Sequence, residues 1–252
     1  MNVGYPGPEG SHSAAASLLL APESVQMPLP SFIAVVEAAV AADVAMGVLP
    51  IENSLHGPVA ETHDLLYEAP LSIVSEVRTL RTNPVAFDQC RELVHSLGAR
   101  CIATATTADA AREVAESDDP TEAAISSAEA AAHFGLHVIA PDVGDHTAFT
   151  RFVGIAPYTR VAREPRWRTA LSMVTDHQPG SLYHALGPFH RHGLNLVQLV
   201  SRPIPHSTFR YRFDMIMDGH PQDPELQSAL AEMREWTREV RIFGSYPATG
   251  DH

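Results

Sequence analysis

The chain contains no lysine: all 17 of the basic residues in its 252 positions are arginine. This absence excludes Schiff-base chemistry on a lysine and phosphate-binding loops that depend on a lysine. Arginine instead binds carboxylates through two parallel hydrogen bonds. The sequence therefore predicts a small substrate with more than one carboxylate.

Cysteine and positive charge are also scarce. The two cysteines, Cys90 and Cys101, lack the spacing of a zinc site or of a disulfide framework, which indicates a reducing, cytoplasmic location. The segment "MNVGYPGPEG" has no basic region of a signal peptide, and no apolar run is long enough to span a membrane. A formal charge of −13 opposes binding to nucleic acid or to an anionic membrane surface.

The 14 histidines raise the question of a metal site. His56 and His63 are seven positions apart on one face of a predicted helix, and "HRH" occupies 190–192. Neither group has an acidic or cysteine partner at liganding spacing, and "HRH" lies where a helix end favours cations. We therefore expect no metal and no cofactor.

Residues 1 to about 156 alternate between short strands and helices. The pattern predicts a strand, a turn and a helix in "NVGYPGPEGSHSAAASLLL", and a helix in "SFIAVVEAAVAADV". It then predicts a buried strand "AMGVLP" that stops at the polar "IENS", and a helix through "PVAETHDLLYEA". Further on, it predicts helices in "TADAAREVAE" and "SSAEAAAHFG" and strands in "EAAI" and "LHVIA". Two similar halves of this kind indicate a bilobed α/β domain with a polar cleft.

The pattern changes after a proline- and arginine-rich segment, "PYTRVAREPRWR". It predicts in turn the strand "TALSMVTD", a helix through "GSLYHALGPFHRHG", and the strands "NLVQLVSRP" and "FRYRFDMIMD". A last helix is predicted to carry Leu226, Leu230, Met233, Trp236 and Val240, followed by the strand "VRIFGSYP". The resulting βαββαβ order is the ferredoxin-like plan.

The stretch "FTRFVGIA" at 149–156 places a hydroxyl, a cation and an aromatic ring side by side at the start of a predicted strand. Alternation sends Thr150 and Phe152 to one face and Arg151 to the other unless the strand is bulged. The ordinary interpretation is a strand start with an arginine whose head reaches solvent. The alternative is a ligand site, in which Arg151 binds a carboxylate and Phe152 forms a wall.

Two further polar stretches admit both a structural and a functional interpretation. Ser11 and Ser13 can cap a helix, and a cap that faces a cleft can also hold a carboxylate. Asn53 and Ser54 can end a strand or supply amide and hydroxyl donors to a ligand. Glu52 is either a solvated carboxylate or a group that supplies or orients a proton.

Four stretches taken together resemble the prephenate dehydratase family, whose members convert prephenate to phenylpyruvate in phenylalanine biosynthesis. They are "GYPGPEGSHSAAA", "LPIENSLHGPV" at 49–59, "TRF" at 150–152 and "PGSLYHALGPFHRHGLNLVQLVSRP" at 179–203, and "FGSYP" resembles the closing strand of that family. The resemblance implies a periplasmic-binding-protein-like (type 2) catalytic domain over 1–158, a linker over 159–168 and a phenylalanine-sensing ACT domain over 169–252. It also implies association of ACT domains, and hence a homodimer or homotetramer.

The resemblance and the polar stretches described above together predict the site residues. Thr150 matches the catalytic threonine of the family, and Glu52 joins it as the second catalytic residue, while the expected substrate contacts are Ser11, Ser13, Asn53, Ser54, Arg151 and Phe152. The expected contacts of an L-phenylalanine effector in the ACT part are Gly180, Ser181, Leu182, Asn195, Ser201 and Arg202.

The sequence departs from the family pattern at several positions. His12 replaces a ring-bearing phenylalanine of the pattern, His56 an acidic residue, Asn83 a histidine, and Val200 a glutamate of the effector motif. The segment near 77–84 is also shorter than expected by about one strand. These departures keep two alternatives open: a prephenate decarboxylase of specialised metabolism with a non-aromatic product, and a non-catalytic amino-acid sensor. Arogenate is an alternative substrate to prephenate.

Overall fold

The chain forms two compact units, each assembled from two separate stretches. The computed structural model describes residues 1–80, 90–141, 143, 149–157, 166–204, 207 and 210–248. The first unit comprises 1–57 and 77–152, and the second comprises 58–76 and 153–252. The boundaries expected from the family resemblance, at 158 and 169, stay a prediction, and most of the expected linker lies outside the described residues.

The first unit is built on parallel strands. Strands β1 (Asn2–Pro6), β2 (Val25–Leu29) and β3 (Met46–Asn53) are parallel, with β1 in the middle. The sheet order is β2-β1-β3-β6-β5, where β5 is Ser72–Leu80 and β6 is Phe149–Ala156, and the short strand β4 (Gly57–Pro58) pairs with β3. Strands β5 and β6 each continue from one unit into the other.

The first two helices begin at serine caps, as their sequences predict. Helix α1 (His12–Leu20) is capped by Ser11, and α2 (Phe32–Val40) by Ser31, each through a side-chain oxygen that accepts a backbone N–H. The strand expected to stop before "IENS" continues through Asn53 instead, so that Glu52 and Asn53 are strand residues.

Three more helices of the first unit lie among the described residues 90–141. They are α4 (Arg91–Leu97), α5 (Thr107–Glu116) and α6 (Ala128–His133), of which α5 and α6 match predicted helices. Helices α5 and α6 pack through small buried residues, Ala108, Ala111 and Ala130. None of the helices in the described part of the chain is long and apolar enough to cross a membrane.

The strands predicted at 122–125 and 136–140 are wrong. Both segments are irregular, and Val138 and Ile139 are 56% and 87% exposed. A strand needs a neighbour to satisfy its backbone groups, and none of the described residues between 90 and 141 is in a strand. Apolar β-formers alone therefore did not make these segments strands.

The second unit contains the predicted βαββαβ order. Its elements are β7 (Trp167–Thr175), α7 (Ser181–Arg191), β8 (Leu196–Pro203), β9 (Tyr211–Asp218), α8 (Pro224–Arg234) and β10 (Thr237–Pro247), and the antiparallel sheet order is β10-β7-β9-β8. Trp236 and Val240, predicted in the last helix, lie beyond its end, with Val240 in β10. The backbone from Thr237 onward pairs with β7, which ends the helix earlier than the apolar spacing suggests.

Both faces of the sheet of the second unit carry buried residues. One face packs on α7 and α8 through Leu171, Met173, Met215 and Met217 from the strands and Phe189 from α7. The other face carries polar residues that are also buried: Arg212 is 0% and Asp214 is 1% exposed. They contact helix α3 (Ala60–Glu68), which belongs to the same unit.

Candidate active site

The end of β3 and the start of β6 meet in the first unit. The backbone N–H of Ser54 donates to the carbonyl of Phe149 at 2.8 Å, and the N–H of Phe149 donates to Ser54 Oγ at 2.9 Å. These two bonds bring Thr150 and Arg151 beside Glu52 and Asn53. The parallel strands β1 and β3 place their carboxyl ends at one edge of the sheet, where ligands of open α/β sheets bind.

Asn53 fixes the orientation of the Thr150 hydroxyl. Its amide Nδ2 donates to Thr150 Oγ1 at 3.0 Å, and its Oδ1 accepts from the backbone N–H groups of Leu55 and His56 at 2.9 and 3.1 Å. Asn53 is 3% exposed, so these bonds hold its amide in one orientation. Because Thr150 Oγ1 accepts from Asn53, its own hydrogen is free to be donated in another direction.

Glu52 and Arg151 form an ion pair next to this contact. Arg151 Nη1 lies 3.1 Å from Glu52 Oε2, and the two side chains are only 13% and 28% exposed. Among the described residues, Arg151 Nε has no hydrogen-bond partner. The guanidinium therefore keeps donor capacity for an anion.

The remaining expected substrate contacts differ in their burial and in their hydrogen-bond partners. Ser11 caps α1 through its oxygen, and its O–H can still donate, while Ser13 is half-buried in the first turn of the same helix. Ser54 Oγ supports the backbone of β6. Phe152 is 2% exposed and belongs to the core, so its ring is not offered to a ligand in this arrangement.

The expected effector residues lie in the second unit. Gly180 is the N-cap of α7, Ser181 is buried, and Leu182 packs against the core. Asn195 Nδ2 donates to Asp218 Oδ2 at 3.0 Å, and Ser201 is exposed. Arg202 is already engaged, because its Nε and Nη2 donate to the carboxylate of Asp64 at 3.2 and 2.5 Å.

The histidines considered for metal binding make other contacts. His63 Nδ1 lies 3.2 Å from Asp214 Oδ2, and His192 Nε2 lies 2.7 Å from Glu232 Oε1. No cluster of three or more histidine, cysteine or acidic side chains that could hold a metal occurs within the described ranges.

Sequence reasoning could not find two features of these sites. The contact between Asn53 and Thr150 joins residues 97 positions apart, and only the pairing of β3 with β6 brings them together. The sequence pattern predicts that Arg212 and Asp214 lie on the polar side of the alternating strand β9. Nothing in that segment indicates that α3 covers them. The departure at Asn83, and residues 81–84 of the shortened segment, lie outside the described residues.

The chain matches a known family over more than half of its length. A profile described as prephenate dehydratase matches residues 3–80 and 74–159. A bifunctional N-acyl-homoserine lactone acylase/prephenate dehydratase of Komagataeibacter europaeus is 32% identical over 269 residues, which cover 98% of this chain and 96% of that protein. A prephenate dehydratase of Mycobacterium tuberculosis is 33% identical over 281 residues, which cover 98% of this chain and 87% of that protein.

Solved structures show the same likeness. A quorum-quenching acylase superposes with a TM-score of 0.90 at 30% identity, over 99% of this chain and 98% of that one. The prephenate dehydratase of Arthrobacter aurescens, in complex with L-Phe, superposes with a TM-score of 0.87 at 28% identity, over 99% of this chain and 92% of that one.

Proposed function

Since the chain belongs to the prephenate dehydratase family, we propose that it is a prephenate dehydratase that uses Thr150 to assist the departure of hydroxide. The observation that carries this proposal is the hydrogen bond from Asn53 to Thr150 Oγ1. That bond occupies the acceptor side of the hydroxyl and leaves its hydrogen for the substrate.

The reaction breaks two bonds of prephenate together. The electron pair of the bond between the ring and its carboxylate moves into the ring as CO2 leaves, and the C–O bond of the ring hydroxyl breaks with its own pair. The products are phenylpyruvate, CO2 and hydroxide, which solvent protonates. A hydrogen bond from Thr150 to the departing oxygen stabilises the negative charge that develops there.

Arg151 and the α1 N-terminus supply the positive potential that a dianionic substrate needs. Arg151 retains donor capacity beside its ion pair with Glu52, and Ser11 and Ser13 lie at a helix N-terminus, which favours anions. In this proposal Glu52 orients Arg151, and Ser54 holds the start of β6 in place. Arogenate differs from prephenate in the side chain, away from the departing hydroxyl, so it remains a second substrate to test.

Product analysis with prephenate tests the proposal. We expect phenylpyruvate from the parent protein, and a decrease in kcat of about 10²- to 10⁴-fold for Thr150→Val, equal to about 3–5 kcal/mol of barrier. A non-aromatic dihydro-4-hydroxyphenylpyruvate product would identify a decarboxylase instead. A parent that turns over neither prephenate nor arogenate would identify a sensor, and an unimpaired Thr150→Val enzyme would reject the role of that hydroxyl.

A second candidate activity is hydrolysis of N-acyl-homoserine lactones. The observation that favours it is the match along nearly the whole length of a bifunctional acylase/dehydratase and of a solved quorum-quenching acylase. Release of fatty acid from an N-acyl-homoserine lactone, followed by mass spectrometry, tests this activity. Retention of hydrolysis by Thr150→Val would show that the two reactions use different groups.

For regulation, we propose that residues 169–252 form an ACT domain that takes L-phenylalanine at Gly180, Ser181, Leu182, Asn195, Ser201 and Arg202. The support is the βαββαβ order and the likeness to a relative solved with L-Phe. The proposal includes a cytoplasmic homodimer or homotetramer. Isothermal titration with L-phenylalanine tests binding, and light scattering tests the assembly, with a monomer as the contradicting result.

A further inference from the structure

A network of charged residues fastens α3 to the sheet of the second unit. We call this network the α3 clamp and define it as His63 and Asp64 of α3, Arg202 of β8, and Arg212 and Asp214 of β9. Arg212 donates to Asp64 at 2.8 Å, to Asp214 at 3.1 Å and to the carbonyl of His63 at 3.2 Å. All five residues belong to one compact unit.

Most of the clamp is buried, and Asp64 is its most exposed member. The side chains of Arg212 and Asp214 are 0% and 1% exposed, and the Arg212 guanidinium lies 4.2 Å from the centre of the Tyr67 ring. Removal of a partner from such a network leaves an unpaired charge in the interior. Helix α3 is therefore held to the strands as part of one body.

Asp64 is the member of the clamp that joins two different strands. Arg202 of β8 donates to both of its oxygens, and Arg212 of β9 donates to one of them. Burial raises the pKa of Asp64, but hydrogen bonds and attraction from Arg202 and Arg212 lower it by more, so the pKa remains below its ordinary value. Arg202 and its neighbour Ser201 on β8 are both expected effector contacts.

The chain continues directly from the candidate active site into α3. Glu52 and Asn53 end β3, and the first of the two stretches of the first unit ends at Gly57, three residues before α3 begins. Gly57 has φ +77°, and nothing lies within 4 Å of the position that a Cβ would occupy. Only residues 54–59 connect β3 to α3, and the short strand β4 within them pairs with β3, so movement of α3 is passed on to the end of β3.

From these observations we infer that the α3 clamp couples the effector site on β8 to the active-site segment 52–54, with Asp64 as the coupling residue. A change in the position of β8 on effector binding moves α3 through Asp64, and α3 pulls on the segment that orients Thr150. This inference rests on the proposed dehydratase function and its L-phenylalanine effector.

The test uses Asp64→Asn in the full-length protein and a matched control, Glu232→Gln. Glu232 is also an acidic partner of an arginine in the second unit, with Arg191 at 2.6 Å and His192 at 2.7 Å, but it joins α7 and α8 instead of α3. Their side chains are similarly exposed, 41% for Asp64 and 39% for Glu232. Asp64→Glu serves as a second variant that keeps the charge and displaces it.

Two readouts are measured with and without saturating L-phenylalanine: hydrogen exchange of residues 60–68, and kcat/KM for prephenate. In the parent and in Glu232→Gln we expect the effector to change both, with kcat/KM altered by about fivefold or more. In Asp64→Asn we expect binding of L-phenylalanine by calorimetry, basal turnover like the parent, and a response in kcat/KM below about twofold. Asp64→Glu should respond to an intermediate degree.

An Asp64→Asn protein that responds like the parent would overturn the inference. Loss of the L-phenylalanine response in both Asp64→Asn and Glu232→Gln would also overturn it, because general loosening of the second unit would then explain the result. A parent whose α3 exchange does not respond to L-phenylalanine would also overturn it. Turnover of prephenate without effector reports separately on the proposed function, so the two failures are distinguishable.

Discussion

At the scale of single residues, the candidate active site depends on the direction of one hydroxyl hydrogen. Asn53 donates to Thr150 Oγ1, and two backbone N–H groups hold the amide oxygen of Asn53 in place. A threonine whose oxygen is already an acceptor is available as a donor to a leaving group. Within the proposed function, Asn53 is therefore a positioning residue for the Thr150 hydroxyl as well as an expected substrate contact.

The variant Asn53→Asp tests this arrangement. It keeps the shape and the oxygen that accepts from Leu55 and His56, but replaces the amide donor with a carboxylate oxygen that attracts the Thr150 hydrogen. We expect kcat for prephenate to fall by about 10²- to 10³-fold with KM nearly unchanged. Steady-state kinetics, with circular dichroism to confirm folding, measures this. A parent-like kcat would show that the hydroxyl needs no orientation by Asn53.

Asp64 gives a pH-dependent prediction at the same scale. Its pKa in the folded protein is lowered from its ordinary 3.8, so its contribution to stability is present above the unfolded pKa and is lost as pH falls through the folded pKa. The parent should therefore be more stable than Asp64→Asn at about pH 7, and the difference in Tm should shrink from about pH 5 downward. Thermal melts across this range check the trend; a difference that grows in acid would contradict it.

At the scale of elements, close contact between two strands in the second unit depends on a glycine. Gly244 of β10 has φ +149°, and an added Cβ would lie 2.3 Å from the carbonyl oxygen and 2.7 Å from the nitrogen of Ile73 in β5. Both atoms are backbone, so a rotamer change cannot relieve the overlap. The strands would have to separate to admit any side chain.

Gly244→Ala should therefore lower the free energy of unfolding by about 3 kcal/mol or more, from overpacking and from backbone strain. The matched control is Gly193→Ala, which also has positive φ but has nothing within 4 Å of the added Cβ. We expect the control to lose only about 1–2 kcal/mol. Denaturant unfolding measures both variants, and equal losses would reject the proposed overlap with Ile73.

Sequence patterns predicted elements best where local signals agree. Serine caps and apolar spacing identified α1 and α2, and alternation identified β9. The patterns failed at 122–125 and 136–140, because strand formation depends on a partner that a local pattern does not contain. Local patterns also contain no information on contacts between distant segments. They therefore identified Asn53 and Thr150 as candidates without the hydrogen bond between them, and did not indicate that α3 covers Arg212 and Asp214.

At the scale of the whole molecule, the boundaries suggested by family resemblance and the compact units divide the chain differently. Residues 58–76 group with residues 153–252, although they precede the expected catalytic boundary at 158. Helix α3 makes ion pairs through Asp64 with Arg202 of β8 and Arg212 of β9, which lie in the C-terminal part. Its stability should then depend on that part.

In a fragment of residues 1–158, helix α3 should lose its protection against amide hydrogen exchange. Without β8 and β9, the carboxylate of Asp64 loses Arg202 and Arg212, and the ring of Tyr67 loses the guanidinium of Arg212. A nine-residue helix is only marginally stable by itself. We expect amides of residues 61–68 to exchange at least about 100-fold faster in the fragment than in the full chain. Hydrogen exchange with mass spectrometry measures this. Equal protection would show that α3 is stable with the N-terminal part alone.

The chain passes between the two compact units at 57/58, 76/77 and 152/153. For the history of the gene, this means that one crossover between two relatives cannot transplant either unit intact. A chimaera joined near residue 158 would inherit α3 from one parent and β7–β10 from the other, so Asp64 would meet arginines selected in a different lineage. Helix α3 and the sheet it contacts should therefore be inherited together, even though residues 69–166 separate them in the sequence.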